Sequence, residues 1–240
     1  MVLTIDQRTR VLKQLLNHKR DSGSREVILG ENKSIKLYIE QGVFGSDIMS
    51  SAIYLARFLY HNKKLYFEKD VLDMGCGPGT QGIVMLEHGA KSAVLADISP
   101  KAVLNTKINL KEKSIFNAEV YESDLFANLA KNKTYEVIVF NHPFFPANPA
   151  QFEGDPNEDE MLRRSMLGGT ELIKRFFREV SNYLRQDGLI IMPYFQPAGV
   201  ENDPIRHVDE YGFKVSKKEL IESKEGLQIG KVFIYLIVRK

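Results

Sequence analysis

Only one of the 240 residues is a cysteine, Cys76. An internal disulfide is therefore excluded, and a reducing, cytoplasmic setting is expected. Long apolar runs are also missing: no stretch approaches the roughly 18 residues of a spanning helix. The first residues lack the apolar core of an export signal, so no membrane partner is expected. Charge of one sign is not in excess either. With 33 Lys and Arg against 31 Asp and Glu, the net charge is +2, which does not single out nucleic acid as a partner. The five histidines, His18, His61, His88, His142 and His207, are scattered without ligand spacing, so no metal site is expected. The chain has no internal repeat, and its length suits one domain with an extension.

What stands out is the segment Asp73-Met74-Gly75-Cys76-Gly77-Pro78-Gly79-Thr80. Val71-Leu72 precedes it and Ile83-Val84-Met85-Leu86 follows, the pattern of a strand, a glycine turn and a helix. Glycines at alternate positions let the backbone come close to a ligand without side-chain collision. Two patterns overlap here. Gly77-x-Gly79-x-x-Gly82 fits a dinucleotide fingerprint, and Asp97 follows Gly77 by twenty positions, where an acid would meet a ribose. Yet a pyrophosphate on this turn would sit close to Asp73, and two anions repel strongly in a partly desolvated site. A ligand whose near end is cationic fits better. Cys76 lies between two glycines, where a small residue is needed, which favours packing over a nucleophilic role.

The segment resembles the cofactor turn of the Rossmann-like S-adenosylmethionine-dependent methyltransferases. That resemblance implies S-adenosyl-L-methionine as cofactor. Asp73, Gly75, Gly77 and Gly79 would hold its methionine end. Asp97, closing the strand Ala93-Val94-Leu95-Ala96 with Ile98 beside it, would accept the ribose hydroxyls. Asp124, in Glu122-Ser123-Asp124-Leu125-Phe126 after a third strand, would meet the adenine amino group, with Ser123 alongside.

A fourth strand, Tyr135–Phe140, ends in Asn141-His142-Pro143-Phe144-Phe145-Pro146. This resembles the Asn-Pro-Pro-Tyr/Phe signature of methyltransferases that modify a planar nitrogen, and implies that Asn141, His142, Pro143 and Phe144 are the catalytic residues. Asn141 would also border the cofactor. Such a nitrogen is a poor nucleophile because its lone pair is delocalised. In the family, the asparagine oxygen and the next backbone carbonyl each take one N–H, which aims the nitrogen at the methyl group. The aromatic fourth residue would stack on the flat substrate group. Here His142 replaces the first proline. It stands either as a general base for the departing proton or as a packed side chain whose carbonyl alone counts, and the second reading is favoured.

Elsewhere, Val11, Leu12, Leu15 and Leu16 predict one amphipathic helix over 5–16, and Ile35–Ile39 a short strand. Residues 1–36 carry eight Lys and Arg against four Asp and Glu. That fits either a basic cap at the rim of a site or a solvated helix face, the latter favoured. Gly42-Val43-Phe44 and Gly168-Gly169-Thr170-Glu171-Leu172 resemble segments of the "methyltransferase small" group, which includes release-factor glutamine and ribosomal-RNA guanine methyltransferases. Phe44 would cover the cofactor or staple the helix Met49–Tyr60. Leu172, Ile173, Phe176, Phe177, Val180, Tyr183 and Leu184 form a helical stripe that Asp187-Gly188 would end. Then come a buried strand Leu189–Met192, a short helix Val200–Tyr211, and strands Phe213–Ile221 and Val232–Val238. The expected fold is α/β: a Rossmann-like doubly wound seven-stranded sheet over residues 36–240. Its expected order is 3-2-1-4-5-7-6 with strand 7 antiparallel, behind a short N-terminal helical extension, residues 1–35.

The stretch 152–160 holds five acidic residues on the expected substrate side. It would repel phosphate and attract a basic protein. This tips the expected macromolecular substrate, protein or RNA, slightly toward a protein glutamine amide over a nucleobase amine. A small-molecule acceptor and a non-catalytic binding subunit stay open.

Overall fold

The computed structural model describes residues 3–18, 20–147, 160–224 and 229–240. Helix α1 (Ile5–His18) leads into a hairpin of β1 (Gly23–Gly30) and β2 (Lys33–Ile39), followed by α2 (Ser50–His61). An alternating β/α stretch comes next: β3 (Asp70–Met74), α3 (Thr80–Glu87), β4 (Ser92–Asp97), α4 (Pro100–Glu112), β5 (Ala118–Glu122) and β6 (Tyr135–Phe140). The chain ends with α5 (Glu160–Arg164), α6 (Gly169–Val180), β7 (Leu184–Phe195), β8 (Phe213–Ser223) and β9 (Gly230–Arg239).

Strands β3 to β9 form one sheet in the order β5-β4-β3-β6-β7-β9-β8. The first five are parallel, and β9 runs antiparallel to both β7 and β8. Numbered from β3, this is the expected 3-2-1-4-5-7-6. The apolar runs of β3, β4 and β6 arise because the sheet is covered on both faces. Side chains alternate between two cores. Leu72, Met74, Val94, Ala96, Ile138 and Phe140 join α6 residues Phe176, Phe177 and Val180 on one side. Val71, Ala93, Leu95, Val137 and Val139 join α2, α3 and the hairpin on the other. Phe176 is fully buried, and its truncation to alanine is worth about 3–5 kcal/mol.

Three expectations need correction. The extension is not purely helical. Ile35 and Lys36, which flank the expected boundary, are consecutive residues of β2 paired with Val27 and Glu26, and Val11 and Leu15 of α1 are buried in the α6-side core. Helix α6 stops at Val180, and Asp187-Gly188 lies inside β7. The Tyr183 carbonyl instead accepts the Tyr135 N–H at 2.7 Å, so Tyr183 and Leu184 reach the core from a turn and a strand. In place of the helix Val200–Tyr211 there are short 3-10 turns at Pro204–Arg206 and Val208–Tyr211. Pro204 has no N–H for a longer helix, and the Asp203 side chain caps the first turn by accepting from Ile205 N. Among the described residues no helix is long and apolar enough to cross a membrane.

Candidate active site

The glycine turn leaves β3 in left-handed backbone at Gly75 (φ 65°), Gly77 (φ 57°) and Gly79 (φ 88°). Only glycine takes this path at little cost. The turn's carbonyls are braced from α4. Thr106 Oγ1 donates to Gly77 O and Asn109 Nδ2 to Pro78 O, both at 2.8 Å. Asn105 and Asn109 also pair with the backbone of β2 and the residue after it, at Tyr38 and Glu40. Buried polar side chains thus tie the hairpin to the turn and satisfy backbone groups that regular structure leaves unmet.

Two carboxylates lie behind and beside this turn. Asp97 Oδ2 accepts from Gly77 N at 2.8 Å and Oδ1 from Ser99 N at 2.9 Å. Burial pushes its pKa up, against the pull of the N–H groups of Ser99, Gly77 and Ile98. Asp73 is 1% exposed, and its Oδ2 accepts from Gly82 N at 2.7 Å. Burial, with a smaller contribution from the charge of Asp97, raises its pKa to about 7, although the Gly82 bond opposes this. A Cβ on Gly82 would lie 2.5 Å from Leu95 Cδ2, so that glycine is there for close helix–strand packing. The Cys76 thiol is buried and pushed well above its usual pKa, chiefly by desolvation, so it is no nucleophile.

Over the turn lies a cavity of about 310 Å³. Its walls include Gly75, Gly77, Asp97, Ile98, Ser99, Ser123, Asp124, Asn141 and Pro143, with Val43, Phe44 and Ser46 from the loop after β2. That loop is held from several sides. Thr80 Oγ1 donates to Ser46 Oγ at 2.6 Å, Phe44 stacks on His18 of α1 at 5.3 Å, and Arg20 forms a two-pronged ion pair with Asp47. Ser123 Oγ donates to Leu125 O and accepts from Asn128 N, so it shapes the loop after β5. Asp124 meets Arg175 of α6 at 3.2 Å.

After β6, side chains alternate as in any extended segment. Asn141 and Pro143 face the large cavity. His142 and Phe144 line a second, small cavity of about 10 Å³, which Asn141 also borders. The loop is fixed by backbone bonds from Phe145 N to Met166 O and from Gly168 N to Phe145 O. His142 is buried, with Nε2 3.1 Å from the Asn202 carbonyl. Desolvation lowers its pKa to about 4. Its ring stacks on Tyr194 at 5.9 Å, and Phe144 packs edge-on against both.

Comparison with known proteins agrees with this geometry. Residues 34–153, half the chain, match the methyltransferase small domain. The chain belongs to the methyltransferase small domain family. A Methanocaldococcus jannaschii protein named "Putative protein N5-glutamine methyltransferase" is 35% identical over 150 residues, which covers 61% of this chain and 72% of that protein. The ribosomal protein L11 methylase of Lactobacillus delbrueckii subsp. bulgaricus shares the fold at a TM-score of 0.56 and 18% identity, over 78% of this chain and 77% of that one. The T. thermophilus 16S rRNA N2 methyltransferase RsmC, solved with AdoMet and guanosine, has a TM-score of 0.62 and 16% identity. It covers 92% of this chain, which spans about half (51%) of RsmC.

This family member is an S-adenosylmethionine-dependent methyltransferase, and its cavity fits that cofactor. Two buried carboxylates with raised pKa values favour a cationic ligand, and the left-handed glycines keep side chains off the turn. Of the expected cofactor residues, Gly75, Gly77, Asp97, Ile98, Ser123, Asp124 and Asn141 line the cavity. Asp73 does not: it sits behind the turn, where it accepts from Gly82 N and shapes the backbone. Gly79 caps α3, packed where a Cβ would meet Ile83 and Thr106 at 3.1 Å. The expected stacking face of Phe144 is covered by neighbouring rings, and His142 points out of the cavity, buried and uncharged at neutral pH. Neither is among the residues that line this cavity. Sequence reasoning did not place Glu171, Leu172 and Arg175 at the site, although they line the cavity from α6 as Arg164 does from α5. It also missed the α4 brace, whose only sequence signal is the polar set Asn105, Thr106 and Asn109 at helical spacing. The acidic stretch 152–159 lies outside the described residues; Glu160 pairs with Arg164 at 2.8 Å.

Proposed function

We propose that this methyltransferase modifies a planar nitrogen, and that the acceptor is the side-chain amide of a protein glutamine. The observation that carries the reading is Asn141, which borders the cofactor cavity at the carboxyl end of β6 and is followed by Pro143 on the same wall. S-adenosylmethionine supplies an electrophilic methyl group on its sulfonium. Asn141 Oδ1 and the His142 backbone carbonyl each accept one N–H of the amide. This would hold the nitrogen in place with its lone pair toward the methyl group, so that the N–C bond forms as the sulfonium S–C bond breaks, the thioether product leaves and the surplus N–H proton passes to water. Catalysis comes from position and fixed dipoles. Phe44 and Leu172 on the cavity wall help to exclude water. His142 contributes its carbonyl and leaves its ring out of the chemistry.

Two observations favour a protein amide over a nucleic acid. The M. jannaschii relative carries a glutamine methyltransferase name over 61% of this chain. Both arginines on the cavity wall, Arg164 and Arg175, are matched by carboxylates, Glu160 and Asp124, which leaves them poorly suited to phosphate contacts. A transfer assay with radiolabelled S-adenosylmethionine on whole-cell extract tests the acceptor. Label that survives nuclease and is released by protease supports the protein; label removed by nuclease alone replaces it with RNA.

A further inference from the structure

The small cavity behind the acceptor loop is walled by α1, the loop after β2, the acceptor loop itself and the residues that follow α5. Gln14 of α1, Phe44, Asn141, His142, Phe144 and Ser165 line it, and Phe44, Asn141 and Ser165 border the cofactor cavity as well. Two of its wall residues carry buried polar atoms with no hydrogen-bond partner among the described residues, Gln14 Nε2 and His142 Nδ1. Each residue is 2% exposed.

The proton on His142 can be placed. Its Nε2 faces the Asn202 carbonyl, which can only accept, so Nε2 carries the hydrogen and Nδ1 offers a lone pair. Gln14 Nε2 is a donor. A buried donor and a buried acceptor, both unmet, are costly. The volume of about 10 Å³ is the least that holds one water, and such waters settle where at least two polar partners converge. One water in this cavity would accept from Gln14 Nε2 and donate to His142 Nδ1.

We propose that Gln14 is a positioning residue for methyl transfer, holding the His142 ring through one buried water and so fixing the Asn141-His142 backbone that receives the acceptor. This rests on the acceptor role of Asn141 given above. It ties the N-terminal helix, which lies outside the matched family region 34–153, to the chemistry. Gln14 stands 128 positions before His142 in the sequence, and the two meet only at this cavity.

The test uses the full chain and two near-isosteric variants, Gln14→Met and His142→Phe. Nitrogen NMR of the free, histidine-labelled protein comes first and needs no substrate, so it stays informative even if the acceptor reading fails. His142 is expected as the Nε2–H tautomer, and its Nδ1 signal shifts in Gln14→Met as the water bond is lost. An unmoved signal overturns the proposal. Kinetics follow. Loss of one hydrogen bond predicts transfer slowed about five-fold in Gln14→Met, with S-adenosylmethionine affinity within two-fold of the parent. Because Gln14 acts through His142, the same change made on His142→Phe adds little. A full five-fold effect in both backgrounds, or none in the parent, overturns the positioning role.

Discussion

Asp97 Oδ2 accepts the backbone N–H of Gly77 at 2.8 Å, which locks the end of β4 onto the glycine turn beside the cavity that both residues line. The same carboxylate takes the Ser99 N–H on its other oxygen, so it both shapes the turn and presents negative charge to a ligand. Replacing it with alanine removes two charge-assisted bonds. Asp97→Ala is expected to weaken S-adenosylmethionine binding about a hundred-fold, as read by calorimetry. Binding within three-fold of the parent would show that the ribose is held elsewhere.

Asp73 gives the free protein a pH signature. An acid whose pKa is raised on folding binds its proton more tightly in the folded state. Its contribution is fully present below the ordinary value of 3.8 and is lost as pH rises through about 7. Stability of the cofactor-free protein is therefore expected to fall from about pH 4 to about pH 7 on this account. Asp73→Asn keeps an oxygen for the Gly82 N–H and flattens that fall. Melting curves for the two proteins that run parallel across this range would contradict the assignment.

The glycines separate by cause. A Cβ at Gly82 meets Leu95 Cδ2 at 2.5 Å and Leu95 Cγ at 2.9 Å, so Gly82→Ala is expected to cost about 1–3 kcal/mol through overpacking. At Gly77 a Cβ meets nothing within 4 Å, and the cost is the left-handed backbone, about 1–2 kcal/mol. Its larger effect is on cofactor binding, because Gly77 lines the cavity. Thermal melts paired with calorimetry read both quantities. If Gly82→Ala melts with the parent and loses cofactor affinity instead, the packing role is wrong.

His142 stays neutral down to a pKa of about 4, held there by burial. The pH–rate profile of His142→Phe is therefore expected to keep the parent's shape from about pH 5 to 9, whatever its amplitude. The loss of an inflection in that range would restore the ring as a general base.

The sheet was legible because its physics is local. Val71-Leu72, Ala93–Ala96 and Val137–Phe140 are apolar runs suited to a doubly covered strand, and their order follows from the resemblance carried by Asp73–Thr80 and Asn141–Phe144. β1 was not legible. Of its residues only Val27 and Leu29 are buried, and its turn places Asn32, not the neighbouring Gly30, at positive φ (54°), so the usual Asn-Gly or Asp-Gly signal is missing. The side-chain directions of Asp73 and Phe144 were also beyond sequence, since both depend on which neighbour fills the space. Gly82 N–H captures the first, and the rings of His142 and Tyr194 enclose the second. Asn105, Thr106 and Asn109 read as an ordinary polar helix face until the turn's carbonyls are seen opposite them.

The central claim is that Asn141 aims the acceptor nitrogen. The most direct measurement is single-turnover methyl transfer by Asn141→Ala, with cofactor affinity determined by calorimetry on the same preparation. The expected result is transfer slowed by about a thousand-fold with S-adenosylmethionine affinity within a few-fold of the parent. Transfer near the parental rate would contradict it.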